Sequence, residues 1–435
     1  MRMERPLSRR RFVKTVSGAA MAVPWIVPAS VLGLNRGIDV PSERVTIACV
    51  GCGGRGNHDL TRLTRHGAEI VALCDANKQH LDTTRIKYGL PESACSGDFR
   101  DTVSRPDVDA VLVATNDHWH VLTALAALRA GKDIYVEKPL GITIREGRTL
   151  VEAVTKTNRV FMHGTEQRAM SGVRHVCELV RNGRIGTVHK VTVWCPGGRT
   201  SSPPQAAPVP DWLDFDMYTG PSPRRKFDAR RIAPQFHWHI SDYAPSGFLA
   251  GWGIHNYDIM HWALDLDRTG PVAIEGQAVY PPRGELCDCP VTWKIVYSYA
   301  NGLTMDFVDS TGFDKGDGIK FEGDNGWIQM HYGGEASASD PRLLTSKIGD
   351  RDVRLYKAGQ DDDNFDFLQC VKSRKPTCSP IEAAHRSSSV GFLGAMACQL
   401  NRKLQWDPNR EVFPGDDEAN ALLSRPMRGP WKLDA

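Results

Sequence analysis

Apolar residues fall into two rhythms along this chain. Over 45–140, continuous apolar runs at 45–50, 70–74, 109–114 and 133–136 are separated by segments at 56–66, 76–88 and 119–130 with apolar residues at helical spacing. Val111-Leu112-Val113-Ala114 has no polar position, as a strand buried on both faces requires. Gly131 stands where the preceding helix should end. Strands alternating with helices predict a parallel, doubly wound sheet, completed by a helix over 143–157 and a last strand over 159–163. Past about residue 165, after a helix near 170–182, the period becomes two. Residues 188–194 and 291–299 alternate as strands of a sheet with one exposed face do, and 364–374 and 381–402 read as closing helices. Between those strands, 196–250 is rich in Pro, Gly, Arg and aromatic residues. An irregular stretch of that length in a compact domain reads as a functional lid or loop.

The first apolar run, Val45 to Val50, leads directly into Gly51-Cys52-Gly53-Gly54-Arg55-Gly56, and the second, Ile70 to Cys74, ends in Asp75. Strand, G-x-G-x-x-G, helix, strand and acid follow one another as in a dinucleotide-binding Rossmann unit. The first glycine makes the tight turn, the second admits the pyrophosphate to the backbone, and the third lets helix and strand pack closely. The helix N-terminus faces the phosphate charge, and Asp75 accepts hydrogen bonds from the adenosine ribose. A carboxylate there repels a 2′-phosphate, which favours NAD over NADP, a preference that Lys78 softens. With 40 glycines a lone match means little; the flanking strand and acid give it meaning.

A chain of 435 residues has room for two domains. The expected fold is α/β: a Rossmann domain with a doubly wound parallel sheet over 44–165, then an α+β domain over 166–435 built on a large, mostly antiparallel open sheet. The net charge is +3, but residues 1–33 alone carry +5, so the remainder carries −2. No nucleic-acid-binding surface is expected from that balance. Ser8-Arg9-Arg10-Arg11-Phe12-Val13-Lys14 matches the twin-arginine export pattern S-R-R-x-F-x-K, and the apolar stretch from Val16 to about Leu34 is broken by Gly18, Pro24 and Pro28. That is a poor membrane span. Residues 1–33 are therefore expected to be a signal that takes the folded, cofactor-loaded protein to the periplasm through the twin-arginine machinery. The 11 cysteines are odd in number, so at least one is unpaired. Cys49 and Cys52 read as small residues buried at the glycine turn, and no zinc-ligand spacing is present.

Thr115-Asn116-Asp117-His118-Trp119-His120 follows a buried strand, and Asp133-Ile134-Tyr135-Val136 ends in Glu137-Lys138-Pro139. Both lie at the carboxyl edge of a parallel sheet, where ligands bind. These stretches, the glycine turn and Gly253-Ile254-His255-Asn256-Tyr257-Asp258 together resemble the glucose-fructose oxidoreductase / inositol dehydrogenase / MocA family. Gly164-Thr165-Glu166-Gln167-Arg168, the Asp242–Gly247 stretch and Arg428-Gly429-Pro430-Trp431 resemble its exported bacterial branch.

The resemblance implies an NAD-dependent oxidoreductase acting on a sugar or sugar derivative, in homo-oligomeric form. It places the cofactor on Gly51, Cys52, Gly53, Gly54, Arg55, Gly56, Asp75, Thr115, Asn116, His120, Glu137 and Lys138. Lys138 would hydrogen-bond the reacting hydroxyl and His255 would accept its proton, as an imidazole near neutrality is suited to do. Arg168, Arg199, His237, His239, Tyr243 and His255 are the candidates for substrate contact. One departure stands out. The family pattern is Asp-x-x-x-His, and the position four before His255 is Gly251. Either Asp258 holds the histidine from the other side, as a third catalytic residue, or Asp242 or Tyr243 reaches in, or the reaction differs. Transient oxidation at a sugar C3, which permits glycoside cleavage with no net redox change, is the second reading; a nucleotide- and sugar-binding protein without catalysis is the third. His237, His239, His255, Asp258 and His261 read as lining of a sugar pocket, with no metal.

Overall fold

The computed structural model describes residues 44–433; the export segment read at 1–33 lies outside them. From Val45 onward the chain forms one compact unit. Its first sheet contains β1 (Thr46–Val50), β2 (Glu69–Cys74), β3 (Cys95–Ser96), β4 (Ala110–Val113), β5 (Asp133–Glu137) and β6 (Phe161–Gly164). The order is β3-β2-β1-β4-β5-β6, with all neighbours parallel. β4 and β5 are buried throughout, which is why they read as unbroken apolar runs. Local chemistry sets the ends of the intervening helices. Asn77 caps Lys78–Tyr88 by accepting from Gln79 N and His80 N, with Gly89 in the left-handed region at its end. Thr143 caps Ile144–Thr157, which Asn158 closes in the same left-handed conformation.

The second sheet contains β7 (Val188–Cys195), β8 (Ala273–Val279), β9 (Thr292–Ser298), β10 (Thr304–Asp309), β11 (Gly318–Gly323), β12 (Gly326–Met330), β13 (Ala336–Ala338) and β14 (Leu404–Gln405). Its order is β13-β12-β11-β7-β10-β9-β8-β14. All pairs are antiparallel except β7 with β10. The inward residues of β9 (Trp293, Ile295 and Tyr297) share one core with Tyr257 and Met260 of the Ile254–Leu264 helix and Val390, Leu393 and Met396 of Ile381–Leu400. Glu275, Gln277 and Lys294 stand exposed on the other side.

The boundary at 165 is not a clean cut. Phe367, Leu368 and Cys370, from the Asp363–Ser373 helix, sit in the same core as Ile47, Leu60 and Leu112 of the first sheet. Ala384 belongs to its other core, against which Met427 and Trp431 pack. The C-terminal region thus completes the fold of the N-terminal one. Residues 196–250 contain short helical turns at Phe215–Thr219, Ala229–Ile232, Phe236–His239 and Phe248–Gly251. The first of these turns is pinned from two sides: Trp119 Nε1 donates to Met217 O at 3.0 Å, and the Arg428 guanidinium bonds Asp216 and Gly220 O.

Candidate functional site: the carboxyl edge of the parallel sheet

Gly51, Asp75, Thr115, Lys138 and Thr165 each follow the carboxyl end of a parallel strand, so the sheet itself brings the predicted residues to one edge. Gly51 has φ +93°, and a Cβ on Gly56 would lie 1.9 Å from Gly51 O. Nothing larger than hydrogen fits there. A Cβ on Gly54 would meet nothing within 4 Å, so the face of the turn is open. The Gly54–Arg65 helix has no side-chain cap and no acid in its first turn. Its first N–H groups are thus left for an anion, and this cradle fits a pyrophosphate. Asp75 accepts Cys52 N at 2.7 Å and Asn77 N at 2.8 Å, which leaves acceptor capacity on both oxygens for a ribose. The cavity beside it is lined by Lys78, Leu81 and Ser96, and closed by Asp211, Trp212 and Leu213 of the 196–250 segment. That strap is held through Lys78 N to Trp212 O at 2.8 Å and Asp214 N to Ala76 O at 2.9 Å.

Arg55 does not point toward the cradle. Its Nε donates to Glu137 Oε1 at 2.8 Å, and its guanidinium pairs with Glu166 Oε1 at 2.8 Å. Burial pushes the Glu137 carboxyl up to about 8 against the pull of Arg55. His120 lies between Pro139 O at 2.8 Å and Thr115 O at 3.0 Å. It thus braces the two loops where the resemblance places the nicotinamide. Asn116 precedes the Asp117–Arg129 helix as its N-cap residue.

Lys138 is 8% exposed. Its Nζ donates to Gly251 O at 3.0 Å and lies 4.2 Å from the centre of the Trp238 ring. Burial lowers its pKa, opposed by the carboxylates of Glu137 and Asp117. His255 is 4% exposed. Its Nδ1 sits 3.3 Å from Thr165 O, and the edge of the ring meets Tyr332 at 5.1 Å. Burial and the Lys138 charge hold His255 down at about 3, with Glu166 opposing. The ring is therefore neutral. With Nδ1–H donated to the Thr165 carbonyl, the Nε2 lone pair is left as its acceptor.

Asp258 requires a correction. It does not touch His255; it accepts Arg168 Nε at 2.8 Å and Thr165 Oγ1 at 3.0 Å. Its link to His255 runs only through Thr165. Arg168 is not a substrate contact either: it is 2% exposed and also bound bidentately to Asp267. Tyr243 is fully buried, stacked on His118 at 4.9 Å, and Asp242 is tied to Arg225 and Arg231, so neither reaches His255. Arg199 lies over the Phe236 ring, and burial pushes the neighbouring His239 down to about 4. His237, by contrast, lies 3.3 Å from Asp117 Oδ1 next to Trp238. Among the described residues no three His, Cys, Asp or Glu gather as a metal would require, and no helix is long and apolar enough to cross a membrane.

The contributions of Asp117, Glu166 and Tyr332 escape sequence reasoning. Asp117 and Glu166 stand inside the stretches that carry the resemblance, so inspection of every acid there would have flagged them. Tyr332, whose OH donates to Glu166 Oε1 at 3.0 Å, carries no sequence signal.

Comparison with known proteins agrees with this architecture. Solved structures with the same fold include a levoglucosan dehydrogenase in complex with NADH (TM-score 0.61, 16% identity, 83% of this chain and 99% of that one). Another is an aldose-aldose oxidoreductase from Caulobacter crescentus (TM-score 0.61, 18% identity, 83% and 99%). Among curated sequences, an inositol 2-dehydrogenase from Burkholderia cenocepacia is 34% identical over 143 residues, 32% of this chain and 42% of that one. A glycosyl hydrolase family 109 protein from Shewanella pealeana is 30% identical over 205 residues, 41% and 44%. The chain thus spans about two-fifths of the length of these curated relatives. Residues 45–165 match the family described as "Oxidoreductase family, NAD-binding Rossmann fold" and 171–433 its "C-terminal alpha/beta domain". The chain therefore belongs to the glucose-fructose oxidoreductase / inositol dehydrogenase / MocA family of NAD-binding oxidoreductases.

Proposed function

We propose that this protein is an NAD-dependent oxidoreductase that interconverts a hydroxyl and a keto group on a sugar or sugar derivative. The observation that carries this reading is Lys138, a buried amine at the carboxyl end of β5, on the same sheet edge as an open, uncapped glycine cradle. NAD, when bound, supplies the hydride acceptor. Lys138 Nζ donates to the substrate oxygen and stabilises charge developing on it. Neutral His255 offers Nε2 as an acceptor beside it. His120, Glu137 and Arg55 hold the loops that present Lys138. The Asp75 carboxylate favours NAD over NADP.

Gly251 favours a second reading, transient oxidation with glycoside cleavage and no net NADH. The family acid is absent there, and the Shewanella relative is named a glycosyl hydrolase. Export through the twin-arginine signal and homo-oligomerisation complete the proposal. Periplasmic recovery of the full-length protein, lost on Arg9→Lys/Arg10→Lys, and its mass in solution test them.

The deciding experiment starts with protein purified without added nucleotide. Bound nucleotide is extracted and identified, and the reduced nicotinamide band is followed against a panel of sugars, cyclitols and glycosides. NADH formation with a free sugar supports the first reading; aglycone release without lasting absorbance supports the second. Bound NAD with no turnover on any compound supports the non-catalytic binding protein. Lys138→Ala should lower kcat/KM by roughly 10³-fold, within the range for a positioned proton donor or acceptor, with NAD affinity kept. Normal turnover in that variant would defeat the site assignment.

A further inference from the structure

We infer that the Asp117–His237 pair carries the proton of the reacting hydroxyl between substrate and solvent, with His237 as the acid/base and Asp117 as the residue that positions it. The inference rests on the oxidoreductase reading above.

Position 251 cannot hold an acid in this arrangement. A Cβ there would stand 2.9 Å from Trp238 Cδ1 and Nε1, while its carbonyl accepts from Lys138. The indole fills the space that a side chain at 251 would enter. Trp238 is itself fixed: Nε1 donates to Asp117 Oδ1 at 3.1 Å, and the ring packs edge-on against Phe248 at 5.6 Å. The same Asp117 oxygen lies 3.3 Å from His237 Nε2. Asp117 is buried at the first turn of the Asp117–Arg129 helix, where the backbone favours an anion. One carboxylate therefore holds both the side chain that replaces the acid and an imidazole next to it.

The other imidazoles around Lys138 lack such a partner. His255 is held by the Thr165 carbonyl, His118 by the Tyr218 carbonyl, and His120 by two carbonyls; the His239 Nε2 has no partner. A carbonyl stabilises a neutral ring, whereas a carboxylate stabilises the imidazolium that proton transfer creates. Burial drives His118 and His255 to about 3 and His239 to about 4, poor values for a base near neutrality. Burial also works against the Asp117 carboxylate, but its His237 contact and the nearby His120 and Lys138 keep it below its ordinary value. His237 faces Asp117, His118 and His120 from one helix and His239 from its own turn, while Lys138 from the β5 end acts on the same Asp117. Its side chain is 15% exposed, whereas Lys138 and His255 are buried, so it has a path to water.

The substrate C–H bond would break with its electron pair leaving as hydride, for which NAD, when bound, would supply the acceptor. The O–H bond breaks and an N–H bond forms at His237 Nδ1, while Nε2–H stays on Asp117. The carbonyl forms, and the extra proton passes to water; reduction runs the same path backward.

The test uses the full-length protein with NAD, and myo-inositol and D-glucose as probes. His237→Gly should lose roughly 10²- to 10⁴-fold in kcat, the range for a positioned acid/base. Added imidazoles should restore part of the rate, with a dependence on their basicity that a purely structural role would not give. Asp117→Asn, which keeps an acceptor for Trp238, should lower kcat about tenfold with KM little changed. Diethyl pyrocarbonate should acylate His237 and spare His255, as mapped by mass spectrometry. His237→Gln covers the case in which the glycine variant does not fold. Wild-type kcat in either His237 variant, or a folded His237→Gly that no imidazole rescues, would overturn the inference while Lys138→Ala still marks the site. Full activity in Lys138→Ala would instead sink the oxidoreductase reading on which it rests.

Discussion

The cofactor end and the substrate end of this cleft are built differently. At the glycine turn of the cofactor end the chain makes its contacts close by in sequence: Cys52 N reaches Asp75 across 23 residues, and Asn57 Nδ2 reaches Cys52 O across 5. At the substrate end Lys138 meets Gly251 across 113 residues, Trp238 meets Asp117 across 121, and Tyr332 meets Glu166 across 166. A local motif dictates its own geometry, because the turn, the strand and the helix start are continuous. A site assembled from a strand end, a distant helix and an irregular segment depends on packing between them, and residue types alone do not reveal which partners meet.

The sharpest way to break that contrast is at the turn. Gly56→Ala should abolish NAD binding, because the new Cβ would lie 1.9 Å from a backbone carbonyl with nowhere to move. Isothermal titration of NAD into the folded variant checks it; affinity within tenfold of wild type would mean that the cradle tolerates more than its geometry indicates. Next in size is Arg168→Met at the other end. It leaves the fully buried Asp258 without its cation, and breaking a buried pair costs about 3–5 kcal/mol. Urea denaturation should register that loss. A variant of undiminished stability with a raised KM would restore Arg168 as a substrate contact.

This contrast also explains what the sequence made legible. β1, β4 and β5 read correctly because strands buried on both faces leave unbroken apolar runs, and the helices between them because their caps are local. The positions of Lys138 and His255 could be read because a strand end and a helix start hold them. Asp258 was misjudged because its spacing to His255 says nothing of Arg168, 90 residues away. The 196–250 segment was legible as irregular, but not as the source of both the adenosine-side strap and the Trp238 cover. Equally hidden was the return of Phe367 and Leu368 to the first core, since a closing helix looks the same whichever sheet it covers.

Gly251 offers a smaller and sharper probe of the substrate end. Gly251→Asp alone should lower kcat roughly tenfold, because the new side chain drives Trp238 off Lys138 and Asp117. Trp238→Ala alone should also lower it, through the lost contact with Asp117. Together they make room for the acid, so the double variant should be more active than the product of the single effects allows. The coupling expected is about 1–2 kcal/mol, in the range for residues in direct contact. Additive losses would mean that the indole and position 251 do not compete for one space.

The smallest effect tests burial beside the site. His118 is held down to about 3, chiefly by burial and then by the Arg425 charge, whereas in an unfolded chain a histidine titrates near 6.5. As pH falls through 6.5 the unfolded chain takes up a proton that the folded protein refuses. Stability is therefore lost progressively from about 6.5 down toward 3, at about 1.4 kcal/mol per pH unit for this one group. Glu137 and Glu146, raised by burial to about 8 and about 7, act in the opposite direction over part of that range, so the total slope is a poor test. The difference between wild type and His118→Gln isolates the histidine. Between pH 6.5 and 5.5, where the unfolded histidine goes from half to almost fully protonated, urea midpoints converted to free energy should show wild type losing about 1 kcal/mol more than the variant. Parallel curves would place His118 in water, and the stacked His118–Tyr243 layer beneath Asp117 would then not be the dry support that keeps that carboxylate in place.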